Sequence, residues 1–112
     1  MATTLTIDYG ADKVLDTAVS HLQLPAGGLT GMTFVWEARK SSTDATPYLT
    51  KTPTITTAGS STVDGVLSTS LSAADTTALP RYTTVLFWRL LITDTGAKTS
   101  IADEGPLVVV VS

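Results

Sequence analysis

His21 is the single histidine of the chain and cysteine is absent, so a nucleophilic site would have to be a Ser–His–Asp set, for instance Ser20 or Ser70 with Asp16. Such a set marks an active site only beside a nucleophile elbow or an oxyanion loop, and the sequence has neither. Serine and aspartate are too common for their pairing alone to count. Asp103 and Glu104 adjoin, with Asp94 across an expected hairpin. Carboxylates hold calcium when regularly spaced along one loop; these are not so spaced and read as solvated hairpin charges. Gly27, Gly28 and Gly31 lack the spacing and the strand-to-helix setting of a phosphate-binding loop. The expectation is a protein without catalytic residues, cofactor or metal.

Arg89 says more, because a charge inside an apolar strand is seldom buried unless it is paired. Its partner could be a carboxylate within the fold, such as Glu37, or it could lie across Trp88 or Tyr82 at a subunit contact. Either arrangement compensates the charge, and the residues alone do not choose between them.

The elements that hold these groups read as strands. Threonine occurs 22 times, valine 10 and isoleucine 4 among 112 residues, and such β-branched side chains fit a pleated surface better than a helix. The segment Tyr82 to Thr93 carries Leu86, Trp88, Leu90 and Ile92 at even positions, and Val85, Phe87 and Leu91 at odd ones, with only Arg89 interrupting. Successive strand side chains point to opposite faces, so a strand apolar on both faces is covered on both sides and should be central. Leu107 to Val111, after Gly105-Pro106, repeats this pattern as a terminal strand.

Elsewhere the alternation is cleaner. Leu5, Ile7 and Tyr9 share one face of a first strand that ends at Gly10, and Met32, Phe34, Trp36 and Ala38 share the inner face of another. Val14 to Leu24 fits either a helical stripe or a strand; the composition favours strand. Pro25 to Gly31 and Ser41 to Pro47 read as loops. Short strands follow at Tyr48 to Thr52 and Thr54 to Thr57, with Pro53 placing one or both at an edge. Thr62 to Leu71 is a further strand in which Gly65 marks a bulge or tight bend. One helix is expected over Ser72 to Leu79, with Ser72 as cap, Asp75 completing a capping box and Pro80 as stop. Asp94 to Ala97 should turn the chain, Gly96 taking the left-handed position, and Lys98 to Ala102 should return antiparallel.

The length corresponds to one domain with one core. Without cysteine no disulfide can staple it, so burial must stabilise it alone. Seven basic residues scattered through a chain of net charge −3 form no basic stripe, which argues against nucleic acid as a partner. No apolar run approaches the ~20 residues that a membrane span needs, and the opening residues have no signal-peptide pattern. The chain is expected to be soluble and not exported.

From Leu67 onward the order of features resembles small immunoglobulin-like domains of tailed-bacteriophage virions, similar to the N-terminal domain of baseplate upper proteins and to related head and tail accessory proteins. The resemblance is carried by Leu71-Ser-Ala-Ala-Asp-Thr-Thr-Ala-Leu-Pro80, the Tyr82 to Ile92 strand, Thr95-Gly96 and Gly105-Pro-Leu-Val108, and earlier by Leu29-Thr-Gly31 before Met32-Thr-Phe-Val35. The family's strand is more polar where Phe87 to Leu91 stand here, and its tail members often continue into a fibre that is not seen in this sequence. The resemblance implies an all-β, immunoglobulin-like antiparallel β-sandwich of seven to nine strands with one short helix. It also implies a non-enzymatic structural protein of the virion, assembled in the host cytoplasm and bound to the major capsid protein or to tail or baseplate proteins. Capsid decoration or cementing is the first expectation, a baseplate or tail role the second, and an adhesin-like carbohydrate-binding module the third.

A single sandwich buries one face of each sheet and leaves the other wet. Val85, Phe87, Arg89 and Leu91, with Val108 and Val110 of the terminal strand, break that rule. They are the expected protein interface, through which the chain forms a homo-oligomer or docks on a larger assembly.

Overall fold

In the computed structural model, residues 4–40, 47–79 and 85–110 are described. Among them are eight strands: β1 (Leu5–Asp8), β2 (Lys13–Val19), β3 (Thr33–Arg39), β4 (Leu49–Lys51), β5 (Thr54–Thr57), β6 (Gly65–Leu71), β7 (Leu86–Thr93) and β8 (Thr99–Val110). They form a five-stranded sheet in the order β1-β8-β7-β3-β4 and a three-stranded sheet in the order β2-β6-β5. The strands that form an immunoglobulin sandwich, B-E-D on one sheet and C′-C-F-G on the other, are matched in that order. The expected all-β immunoglobulin-like sandwich is the observed fold.

One pair departs from the antiparallel expectation: β1 runs parallel to β8, with Leu5 opposite Leu107 and Asp8 opposite Val110. A tight hairpin forces the two strands it joins to run antiparallel. These two strands are joined by no hairpin, and β1 leaves for the other sheet at Gly10 (φ 81).

The core lies between the sheets. Phe34, Trp36, Leu86, Trp88, Leu90 and Ile92, the expected core residues, are all buried, as are Ile7, Leu107 and Val109 beside them and Leu15, Val19, Leu67 and Leu71 opposite. Trp36 is fully buried on the strand in the C position, the place of the core tryptophan of immunoglobulin domains. Gly105, the cross-strand partner of Trp88, sets no side chain against its indole.

Helix α1 (Ala73–Thr77) has the expected capping box: the Asp75 N–H donates to Ser72 Oγ (3.2 Å) and the Ser72 N–H to Asp75 Oδ2 (2.8 Å). Val14 to Leu24 is a strand only as far as Val19; a 3-10 turn at His21–Gln23 follows, because Ser20 Oγ accepts the Leu22 N–H and caps it. The two strands expected on either side of Gly105-Pro106 are one, β8. A register shift opposite Leu90 and Leu91 absorbs one residue, and β1 begins pairing only at Leu107, just past Pro106. In the β7–β8 turn the left-handed residue is Ala97 (φ 65), not Gly96. Asp94 Oδ1 accepts the N–H groups of both Gly96 and Lys98 (2.9 and 3.0 Å), and this brace fixes the turn. Gly65 marks no bulge: a Cβ there would lie 2.6 Å from Leu29 Cδ1, so it serves close packing. The irregularity lies in β5, between Ile55 and Thr57. The loop expected at Ser41 to Pro47 falls largely outside the described residues, as do the Pro80 stop, the start of the Tyr82 to Thr93 segment and Val111.

Candidate protein interface

The outward residues of β3, β7 and β8 line up in rows across the five-stranded sheet. Arg39, Phe87 and Pro106 form the first, Glu37, Arg89 and Glu104 the second, and Val35, Leu91 and Ile101 the third. Val108 and Val110 continue the face along β8, opposite Thr6 and Asp8 of β1, and Val85 immediately precedes β7. Phe87, Arg89, Leu91, Val108 and Val110 thus share one face, with Val85 at its rim. Val85 (57%), Ile101 (48%), Val110 (40%) and Val35 (39%) are exposed on it, while Phe87, Leu91 and Val108 are half-buried.

The charges in the middle are already paired. Arg39 Nε donates to Glu37 Oε1 (2.8 Å) and Nη2 to Glu37 Oε2 (3.0 Å), the two-pronged geometry that makes Arg–carboxylate pairs strong. Residues two apart on a strand point to the same side, which is why this pair forms within β3. Glu37 is only 4% exposed although it faces outward. Arg89 Nε lies 3.4 Å from Glu104 Oε2, and its guanidinium stands 5.4 Å over the Phe87 ring, close enough for a cation–π attraction. Arg89 is therefore compensated within the fold. It sits opposite Glu37 in register, but the carboxylate it pairs with is Glu104, and the ring beneath it is Phe87. Trp88 points into the core, and Tyr82 lies outside the described residues. Two arginines and two glutamates leave the centre of the face without net charge.

The residues weighed for catalysis do not assemble. His21 Nδ1 pairs with Asp64 (2.7 Å), whose carboxylate also accepts the His21 backbone N–H (2.8 Å). That backbone bond first, and the ring second, hold the Asp64 carboxyl below its ordinary value. Asp16 is opposite Ser68, Ser70 is opposite Val14 at the far end of β6 from Asp64, and Ser20 Oγ is taken up as a cap. Asp94 is turned into its own hairpin, Asp103 Oδ1 accepts the Glu104 N–H and Glu104 pairs with Arg89. No three metal-ligating side chains cluster among the described residues. Gly28 (φ 62) is structural, since a Cβ there would lie 2.3 Å from the Ala58 and Gly59 carbonyl oxygens.

Val35 and Ile101 were not singled out in the sequence; Glu37 stood there only as a possible partner of Arg89, Glu104 only as a hairpin charge, and the pairing of Glu37 with Arg39 was not foreseen. Their signal is register: each is the cross-strand neighbour of an odd-numbered β7 residue or lies two residues from one, and register shows only once the strands are paired. No protein-family model matches the chain, and no curated protein matches it.

Proposed function

We propose that this is a non-enzymatic structural subunit of a bacteriophage virion, of the capsid decoration or cement type, that associates through the outer face of its five-stranded sheet. The carrying observation is that face: apolar side chains on three adjacent strands around a charge row whose members are already paired. Apolar side chains gathered on one outer face, here on both sides of a charge row that is already paired, suit a protein contact. Groups ordered before binding lose less freedom on binding, so the paired arginines suit a contact surface better than free ones would. The placement in a virion rests on the sequence resemblance, and the face is what such a subunit needs in order to form a homo-oligomer and to hold a capsid protein.

Sedimentation velocity of the wild type and of Phe87→Asp tests the association. The wild type sediments as an oligomer or co-sediments with virion proteins, and the variant, with a carboxylate beneath Arg89 in the middle of the face, does neither. A wild type that stays monomeric to high concentration and binds no virion component overturns the proposal. Electron microscopy of virions labelled on this protein then reads head against tail: label on the capsid supports decoration, and label on the baseplate or tail overturns it in favour of a tail accessory role.

A further inference from the structure

At the end of the sandwich where β2 leads to β3 and β7 turns into β8, there is a cleft of about 500 Å3 that shares no residue with the face described above. Its size lies within the ~300–1,000 Å3 range of ligand sites. Val19, Leu24, Met32 and Ile92 make one part of its lining aliphatic, and Leu22, Asp94 and Ser100 also line it.

Both walls are fixed. On the first, the 3-10 turn is tied at Ser20 by the Leu22 N–H (3.2 Å) and at Asp64 by the His21 N–H and ring. The loop beyond closes on the β5–β6 connection, where the Leu29 N–H donates to the Ala58 carbonyl (2.8 Å). On the second wall the Asp94 brace holds the hairpin, and Gly31 (φ 83) leaves only enough room for Thr95: a Cβ there would lie 3.3 Å from Thr95 Cγ2. Leu22 is thereby presented at 84% exposure, the most exposed large hydrophobic side chain among the described residues. A leucine held out on a pinned turn beside an apolar cleft is preordered for contact.

The charge in the cleft selects the ligand. Asp94 is the one charged residue of its lining, and none is basic. Asp94 Oδ1 is committed to the hairpin N–H groups, while among the described residues no group bonds Oδ2, which leaves an acceptor open. None of the lining residues is aromatic, so a sugar ring would find no stacking platform. We propose that the cleft binds a short peptide segment of a partner protein in which an aliphatic side chain adjoins a lysine or arginine. The aliphatic group packs against Leu22 and the apolar lining, the cation meets Asp94 Oδ2, and the Ser100 hydroxyl is available to the peptide backbone.

The test is an NMR titration of the full chain with two probes, acetyl-Leu-Lys-amide and acetyl-Leu-Glu-amide, at low ionic strength. The basic probe shifts the amide signals of Leu22, Thr95, Gly96 and Ser100 with millimolar affinity, and the acidic probe binds more weakly. Asp94→Asn retains an Oδ1 acceptor for the turn and removes the charge. It should lower affinity for the basic probe by up to about fivefold, the size of an exposed ion pair, and abolish discrimination between the probes. Leu22→Ser should weaken both probes alike. No shift at the cleft, equal binding of the two probes by the wild type, or discrimination that survives Asp94→Asn overturns the proposal. It does not depend on the sheet-face reading: Phe87→Asp should bind the basic probe as the wild type does, so either can fail alone.

Discussion

The two sheets turn their inner faces to one core, yet their outer faces are chemically unlike. β2 and β6 present Val14, Asp16, Ala18, Val66, Ser68 and Ser70, and β5 beside them is threonine-rich and exposed throughout. Serines and threonines stand there among exposed apolar side chains such as Val14 and Ile55, and among the described residues none of these takes part in an ion pair. On the other sheet a phenylalanine, a leucine and a carboxylate that is 4% exposed point the same way, outward. Backbone geometry does not separate the two faces, because both alternate with the strand period of two. The difference is in the charges: the outward residues of β2 and β6 include one, Asp16, whereas the other face carries two arginines and two glutamates that pair on its own surface.

The largest expected effect is common to both sheets and calibrates the rest. Trp36→Ala removes the fully buried indole beneath the β3 side of the five-stranded sheet and should cost ~3–5 kcal/mol in urea unfolding, with Leu67→Ala under the other sheet costing ~2–5 kcal/mol. A loss below ~1 kcal/mol for Trp36→Ala would show that it does not carry the core. Next, Glu37→Gln puts a neutral amide in place of the carboxylate that the Arg39 guanidinium, 16% exposed, grips in two prongs. Breaking a fully buried pair costs ~3–5 kcal/mol, and partial exposure brings the expectation down to ~1–3 kcal/mol. The matching change on the three-stranded sheet, Asp16→Asn, should stay within ~0.5 kcal/mol. Equal costs would erase the distinction between the faces.

A smaller effect belongs to the bridge between the sheets, where Lys51 of β4 reaches Asp75 of α1 (3.0 Å). Ser72→Ala should cost ~1 kcal/mol through loss of the cap. The backbone N–H of Ser72 first, and Lys51 second, hold the Asp75 carboxyl below its usual 3.8. A depressed carboxyl contributes stability that is present above its unfolded value and is lost as pH falls through the folded one. Thermal midpoints of wild type and Asp75→Asn should therefore differ at pH 7 and converge below about pH 4. A gap that stays constant down to pH 2 would sever the effect from the carboxylate. The smallest contrast is Val14→Thr, within ~0.5 kcal/mol, against Leu91→Thr, which gives up half-buried apolar contact and should cost about 1 kcal/mol.

Much of the sandwich was legible in the residues because a period of two needs no partner to be read. The alternation in β3 and β7 placed Phe34, Trp36, Trp88 and Leu90 inward, and the Ser72–Asp75 spacing placed α1. Pairing is different, since it joins residues far apart in sequence. Nothing local shows that β1 lies parallel to β8, or that β8 continues through Gly105-Pro106 once the strands beside it supply the bonds. The site divides the same way. The odd residues of β7 stood out as an anomaly within one strand, whereas Glu37, Glu104 and Ile101 join them through register, and the partner of Arg89 was decided by which of two neighbouring carboxylates Arg39 had already claimed.

The parallel register of β1 and β8 also sets how the domain bears load. Leu5 starts one strand beside Leu107, and Val110 ends the other beside Asp8. A force drawn between the outer ends of these strands pulls them along their length in opposite directions, so the bonds of the ladder are sheared together and do not open one at a time as in a peeled hairpin. This edge seam of the five-stranded sheet is thus oriented as a mechanical clamp.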